Sequence, residues 1–221
     1  MKVNTDGILL GAWSETLGKR TALDIGTGTG IIAIMLAQKN KNIKVTGIDI
    51  DKHSLQQAGL NMDNSPYKDR LVAVHSSVQD FLKDRDQRFE LIVSNPPFFT
   101  GGTFSSNENK ANVRHTFKLP HSDLLRAVQR LLDPLGHFDL ILPYLEGLRF
   151  IELADQYKLY VNKITEVKSR PDRPIERLLI RLSDYKNDDI IKDQLIIYKG
   201  QGPNNYTLDF STLTRDFYLF L

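Results

Sequence analysis

The 221 residues carry 29 Lys and Arg against 27 Asp and Glu, with 41% hydrophobic and 25% charged residues. These proportions belong to a globular chain that buries a core, and they exclude a disordered protein. The lack of cysteine excludes disulfides, thiolate metal ligands and a cysteine nucleophile. The formal charge of +2 permits a nucleic-acid partner without requiring one.

No apolar run approaches the ~20 residues that span a bilayer, and the opening MKVNTDGILLGAW is too briefly apolar for a secretory signal. The expectation is a cytoplasmic protein, a monomer, folded as a single domain over residues 1–221. Short β-like runs then alternate with helical ones. Thr21–Ile25 (TALDI) reads as a strand, Ile31–Lys39 as a helix, Ile43–Ile50 (IKVTGIDI) as a strand and Lys52–Met62 as a helix. Leu71–His75 and Phe89–Ser94 are two further strands, with the polar segment Ser76–Arg88 between them. Ser122–Leu132 is helical in pattern and stops before Asp133-Pro134; strand Gly136–Leu142 and helix Tyr144–Tyr157 follow. This order predicts an α/β, Rossmann-like fold, a mostly parallel sheet with helices on both faces.

The last third changes character. Tyr160–Val167 and Glu176–Leu182 are strands joined by SRPDRP, too short for a crossover helix, so they form an antiparallel hairpin that closes a seven-stranded sheet. Leu195–Tyr198 adds a small strand at most, Tyr206–Leu221 is ambiguous, and residues 183–221 read as a C-terminal appendage. Residues 99–121 lack periodicity and carry Gly101, Gly102 and a Ser/Asn run, the composition of a substrate-covering loop.

Chemistry concentrates where strands end. Asp24-Ile-Gly-Thr-Gly-Thr-Gly30 closes the first strand, and Gly26 and Gly28 let the backbone approach a ligand closely. The spacing is GTGTG rather than GxGxxG, and Asp24 is unsuited to a pyrophosphate but suited to a ligand with an ammonium group. Asp49 stands at the end of the second strand, about 20 residues on, the offset at which a carboxylate accepts ribose hydroxyls. Asp51 competes for that role, although its position past the strand suits a helix cap. In Ser77-Val-Gln-Asp80-Phe81 an acid is placed to accept an adenine's exocyclic amine. Together these predict an adenosine-containing cofactor.

The fourth strand delivers SNPPFFTGG to the same edge. Pro96 holds Asn95 extended, and the two prolines lack N–H groups and stiffen the segment. The Asn95 side-chain oxygen and the Pro96 carbonyl are then free to accept both hydrogens of one planar NH₂ group, with Phe98 stacking the ring that carries it. Such a grip suits transfer of the sulfonium methyl of S-adenosylmethionine to an aromatic amine. The plainer reading is a proline-stiffened turn capped by Asn.

These residues resemble the class I S-adenosylmethionine-dependent methyltransferases with an NPPF/Y signature. TDGILLGAW, DIGTGTG, GIDID, QDF, SNPPFF and NVRHTFKLPHSDLL together are similar to the bacterial tRNA1(Val) adenine-N6-methyltransferases, over Met1 to about Leu182. NPPF alone is shared with rRNA guanine-N2 and protein glutamine-N5 methyltransferases, and TDGILLGAW is the more specific part. The resemblance implies methylation of the adenine at position 37, next to the anticodon. It implies that Asp24, Gly26 and Gly28 line the methionine end of the cofactor, that Asp49 holds its ribose and Asp80 its adenine, and that Asn95, Pro96 and Phe98 grip the target base. Thr5 and Asp6 would lie near the methionine moiety, or simply cap a helix. The family has glycine where this chain has Asn4, and its members usually carry a segment before the residues that open this chain. Without turnover, the same residues would make a cofactor-binding RNA module.

For RNA, the candidates are Pro97, Arg114, His115 and Lys118, with Lys110 beside them and Arg170, Arg173 and Arg177 in the hairpin. If both clusters rim one edge they make a basic approach for phosphates; otherwise they are a mixed-charge surface, since Asp172 and Glu176 interrupt the second. The five scattered histidines have no ligand spacing, so no metal is expected.

Overall fold

The computed structural model describes residues 5–83, 87–97, 119–202 and 205–218. Strands β1 (Thr21–Ile25), β2 (Lys44–Asp49), β3 (Leu71–His75), β4 (Phe89–Ser94), β5 (Leu132–Pro143), β6 (Tyr160–Lys168), β7 (Arg177–Ser183) and β8 (Ile191–Ile196) form one sheet. Their order is β3-β2-β1-β4-β5-β7-β6-β8. β7 is antiparallel to both neighbours, and every other pairing is parallel. From β1 the chain works outward through β2 and β3, then returns to lay β4 on the other flank of β1. The crevice between β1 and β4 is therefore the topological switch point, where open α/β sheets place ligands.

Period-two alternation divides the core between the faces. Leu23, Ile25, Ile92, Phe138, Leu140, Leu142, Leu178 and Ile180 turn to one face. There they meet α4 (Val78–Phe81), α5 (His121–Leu131) and α6 (Tyr144–Ala154). The intervening Ala22, Leu91, Val93, Ile141 and Leu179 turn to the other face. That face is covered by α1 (Thr5–Trp13), α2 (Ile31–Lys39), α3 (Lys52–Asp63) and α7 (Leu208–Thr214). Among the described residues no helix is long and apolar enough to cross a membrane.

Two charged positions interrupt the second face. Asp139 of β5 is fully buried and takes a forked pair of hydrogen bonds from Arg181 of β7, at 2.8 and 2.9 Å. Trp13 at the end of α1 lies over this pair, its ring 5.1 Å from the Arg181 guanidinium and 5.6 Å from Lys163 Nζ. Its indole N–H donates to Thr165 Oγ1 at 2.9 Å, so α1 is fastened to β5, β7 and β6 together.

The fold differs from the expected one in three places. It has eight strands, because the edge segment Ile191–Ile196 pairs with β6 where only Leu195–Tyr198 was expected; its first four residues are exposed. β5 begins at Leu132, directly after α5, but the β4 register jumps from Phe89↔Leu132 to Leu91↔His137. Asp133–Gly136 is thus a bulge inside the strand, with Leu135 at φ 71°, rather than a loop before it. The polar segment 76–88 contains the one-turn helix α4, which Ser77 caps.

Candidate functional site

β1, β2, β3 and β4 end on one edge of the sheet, and the turns that follow them build the site. The glycine turn carries Gly26, Gly28 and Gly30 at φ 74°, 56° and 81°, a left-handed backbone that side chains resist. It hangs from the end of β2: the Gly26 and Thr27 amides donate to the Ile48 carbonyl at 2.9 and 3.0 Å, and the Gly28 amide donates to Asp49 Oδ2 at 2.8 Å. Around Gly26 there is open space, with no atom within 4 Å of where a Cβ would stand. Gly30 has a different duty. A Cβ there would meet Met62 at 3.1 Å and Ala58 at 3.3 Å, so its smallness seats α2 on α3. Gly30→Ala is expected to cost about 1–2 kcal/mol from the left-handed backbone alone, lowering the melting temperature by several degrees in a thermal unfolding scan.

Asp24, at the fourth position of β1, is fully buried. Thr27 Oγ1 donates to its Oδ2 at 2.7 Å, whereas its Oδ1 has no hydrogen-bond partner. Burial pushes its pKa up to about 7, against the lowering effect of the Thr27 hydroxyl and the Ala33 amide; Asp49 nearby adds a smaller upward push. A buried carboxylate with one oxygen unanswered is completed by a cationic donor. The ammonium of S-adenosylmethionine fits that requirement, and the open backbone at Gly26 admits a ligand beside it.

Asp49 is held by two amides, Gly28 at 2.8 Å and Asp51 at 2.9 Å, one to each oxygen. Each oxygen keeps a lone-pair site, enough to accept the two hydroxyls of a ribose. Asp51 is occupied otherwise: it caps α3, accepting from the His53 amide at 3.1 Å and Ser54 Oγ at 2.8 Å. Asp80 is exposed and joined to its own turn, accepting from Ser77 Oγ at 2.7 Å and Lys83 Nζ at 2.8 Å. The Lys83 hydrogen bond, then that of Ser77, lowers its pKa. No hydrogen bond joins Asp80 to Asp24, Asp49 or the glycine turn.

β4 lies beside β1 with Ser94 opposite Ile25, and Ser94 Oγ donates to the Ile25 carbonyl at 2.9 Å. This bond clamps the start of the SNPP segment to the last residue before the glycine turn. Asn95 follows half-buried, Pro96 buried and Pro97 exposed. Among the described residues nothing hydrogen-bonds to the Asn95 side-chain amide or the Pro96 carbonyl, and both lie beside the switch-point crevice. Phe98, Lys110, Arg114, His115 and Lys118 lie outside the described residues, as does most of the segment 99–121.

Two further elements reach this edge. Asp6 in the first turn of α1 accepts from Arg177 Nε at 3.0 Å, and Arg177 pairs with Pro143 at the end of β5. Thr5 therefore begins α1 at the site edge. Because β7 runs opposite to β5 and β6, the β6–β7 turn with Arg170 and Arg173 also opens onto this edge. Sequence reasoning missed Thr27, Ser94 and the Asp6–Arg177 pair. Thr27 was visible inside DIGTGTG, but nothing local marks a bond between residues 6 and 177.

Residues 6–136 match the methyltransferase small domain family. The chain is 36% identical to the tRNA1(Val) (adenine(37)-N6)-methyltransferase of Christiangramia forsetii, covering 99% of this chain and 91% of that protein. It is 39% identical to the protein of the same name from Vibrio parahaemolyticus, covering 99% and 89%. Among solved structures, a predicted O-methyltransferase from Agrobacterium tumefaciens superposes with a TM-score of 0.74 at 16% identity, over 96% of each chain.

Proposed function

The chain belongs to the methyltransferase small domain family and, within it, to the tRNA1(Val) (adenine(37)-N6)-methyltransferases; from that premise we propose that it transfers a methyl group from S-adenosylmethionine to N6 of adenine 37 in tRNA1(Val). The observation that carries the reading is the placing of Asn95 and Pro96 next to the glycine turn by the Ser94–Ile25 bond, their acceptor oxygens without a partner among the described residues.

When bound, S-adenosylmethionine supplies an electrophilic methyl on a sulfonium with a good leaving group. Asp24 takes the ammonium, through the oxygen that Thr27 leaves unanswered. Asp49 takes the ribose, its orientation set by the Gly28 and Asp51 amides, and Asp80 takes the adenine through the lone pairs that Ser77 and Lys83 leave. Thr5 borders the methionine end. Asn95 Oδ1 and the Pro96 carbonyl each accept one hydrogen of the target N6 amine and hold its lone pair toward the methyl. Phe98 stacks the adenine, which must first be splayed out of the anticodon loop. Pro97, Arg114, His115 and Lys118 contact the RNA around it. Methyl transfer would leave a cationic amine acidic enough to give up its proton to water, so these residues would not need to include a strong base.

Nucleoside mass spectrometry of tRNA1(Val) incubated with the protein and S-adenosylmethionine tests this directly. N6-methyladenosine is the expected product. N2-methylguanosine would move the activity to the guanine-N2 class, methylation of protein glutamine alone to the glutamine-N5 class, and no product at all to a binding module.

A further inference from the structure

The β6–β7 turn shapes an open surface cavity of about 450 Å³, lined by Ser169, Arg170, Arg173, Pro174, Glu176 and Tyr198. Its walls are tied by backbone bonds: Tyr198 donates to the Ser169 carbonyl at 2.9 Å, Glu176 to that of Val167 at 2.9 Å, and Arg173 to that of Arg170 at 3.1 Å. Glu176 is its only lining carboxylate, and Ser169 Oγ hydrogen-bonds to it. Arg170 and Arg173 have no carboxylate within ion-pair distance among the described residues, so the wall carries two guanidiniums against one carboxylate. Asp172 is exposed on the same turn but does not line the cavity. The Tyr198 ring stacks on Tyr206, with centroids 5.1 Å apart and planes 25° from parallel, and is thereby held in place.

We propose that this cavity is a docking subsite for the RNA strand that flanks the target nucleotide, with a backbone phosphate between Arg170 and Arg173 and a base or ribose against Tyr198 and Pro174. Unpaired guanidiniums match phosphate in geometry and charge, and an aromatic wall beside them is the pattern that single-stranded RNA uses. The position suits it. β6 stands three places from β4 in the sheet order, about 14 Å along the shared edge at the ordinary strand spacing of about 4.8 Å. That is a reach of a few nucleotides from Asn95. The proposal rests on the RNA substrate proposed above, and it adds a place where that substrate is held apart from the reacting base.

The test is tRNA binding by fluorescence anisotropy across a salt series, for the wild type, Arg170→Ala/Arg173→Ala and Arg170→Lys/Arg173→Lys. The alanine pair is expected to weaken binding about tenfold or more and to reduce the slope of log K against log salt by about 1 to 2. The lysine pair should keep most of the slope. Both arginines lie in a surface turn, and an unchanged thermal shift with S-adenosylhomocysteine verifies that the fold and cofactor site persist. Affinity and slope equal to wild type in the alanine pair would overturn the subsite while leaving the methyltransferase reading standing. Weakened binding alongside a wild type that makes no N6-methyladenosine would overturn that reading and uphold the subsite. A wild type that does not bind tRNA would sink both.

Discussion

Asn95→Ala is expected to lower kcat for tRNA methylation by about 10²–10³-fold, the size of effect that follows loss of one preorganised hydrogen-bond partner at a reacting group. The thermal shift given by S-adenosylhomocysteine should stay near that of the wild type, because Asp24, Asp49 and the glycine turn are bonded to one another and not to the Asn95 side chain. Alanine leaves the strand and the Ser94 clamp intact, so the loss falls on the acceptor that orients the amine. Turnover within a few-fold of wild type would remove Asn95 from the chemistry.

Asp24 should make cofactor binding depend on pH. In the free protein its pKa is raised to about 7 by burial, whereas a ligand ammonium requires the carboxylate. Below pH 7 the proton must leave on binding, so affinity for S-adenosylhomocysteine should fall by up to about tenfold per pH unit below that point and level off above it. The sign for folding is opposite. Between the ordinary value of 3.8 and about 7 the folded protein holds a proton that the unfolded chain has lost, so stability of the free protein decreases as pH rises through that window. The total is at most about 4 kcal/mol. Asp24→Asn should therefore be more heat-stable than wild type at pH 8 without ligand. It should also bind S-adenosylhomocysteine at least about 30-fold more weakly there, as expected when one member of a buried charge pair is removed. A steep pH dependence retained in Asp24→Asn, seen by calorimetric titration, would assign the proton to another group.

Much of this was legible in the sequence where local and global signals agree. The bounds of β1, α2, β3 and β4 coincide with the runs TALDI, IIAIMLAQK, LVAVH and FELIVS, since each is apolar, of ordinary length and bounded by Gly, Pro or polar residues. The placing of Asp24, Asp49 and Asp80 along one edge was legible because each lies at or just past the end of a successive strand. What escaped depends on partners distant in the chain. β8 pairs through its backbone at an edge, so IKDQ needs no apolar pattern and shows none. α4 is too short for periodicity, and its signature is only Ser77 followed by Asp80 three residues later. The ambiguity of residues 206–221 has the same origin: α7 is a seven-residue helix whose apolar face is only Phe210, packed against Tyr206, and Leu213. How near Arg170 and Arg173 come to Asn95 turned on the strand order β4-β5-β7-β6, which no local run discloses.

The fastening of α1 also dictates an order of events during synthesis. Trp13 reaches its partner 152 residues away on Thr165, and Asp6 reaches 171 residues to Arg177. Contacts of such separation form late, because the intervening chain must be ordered before they close. On the ribosome, at about 5–20 residues per second, roughly 8 to 35 seconds separate the making of α1 from that of its anchors on Thr165 and Arg177. A nascent chain can lay down β1, α2 and β2 with an assembled glycine turn long before the leading helix has its final hold. This edge of the sheet is thus closed by α1 meeting β6 and β7, and a release that stops short of β7 leaves it unfastened.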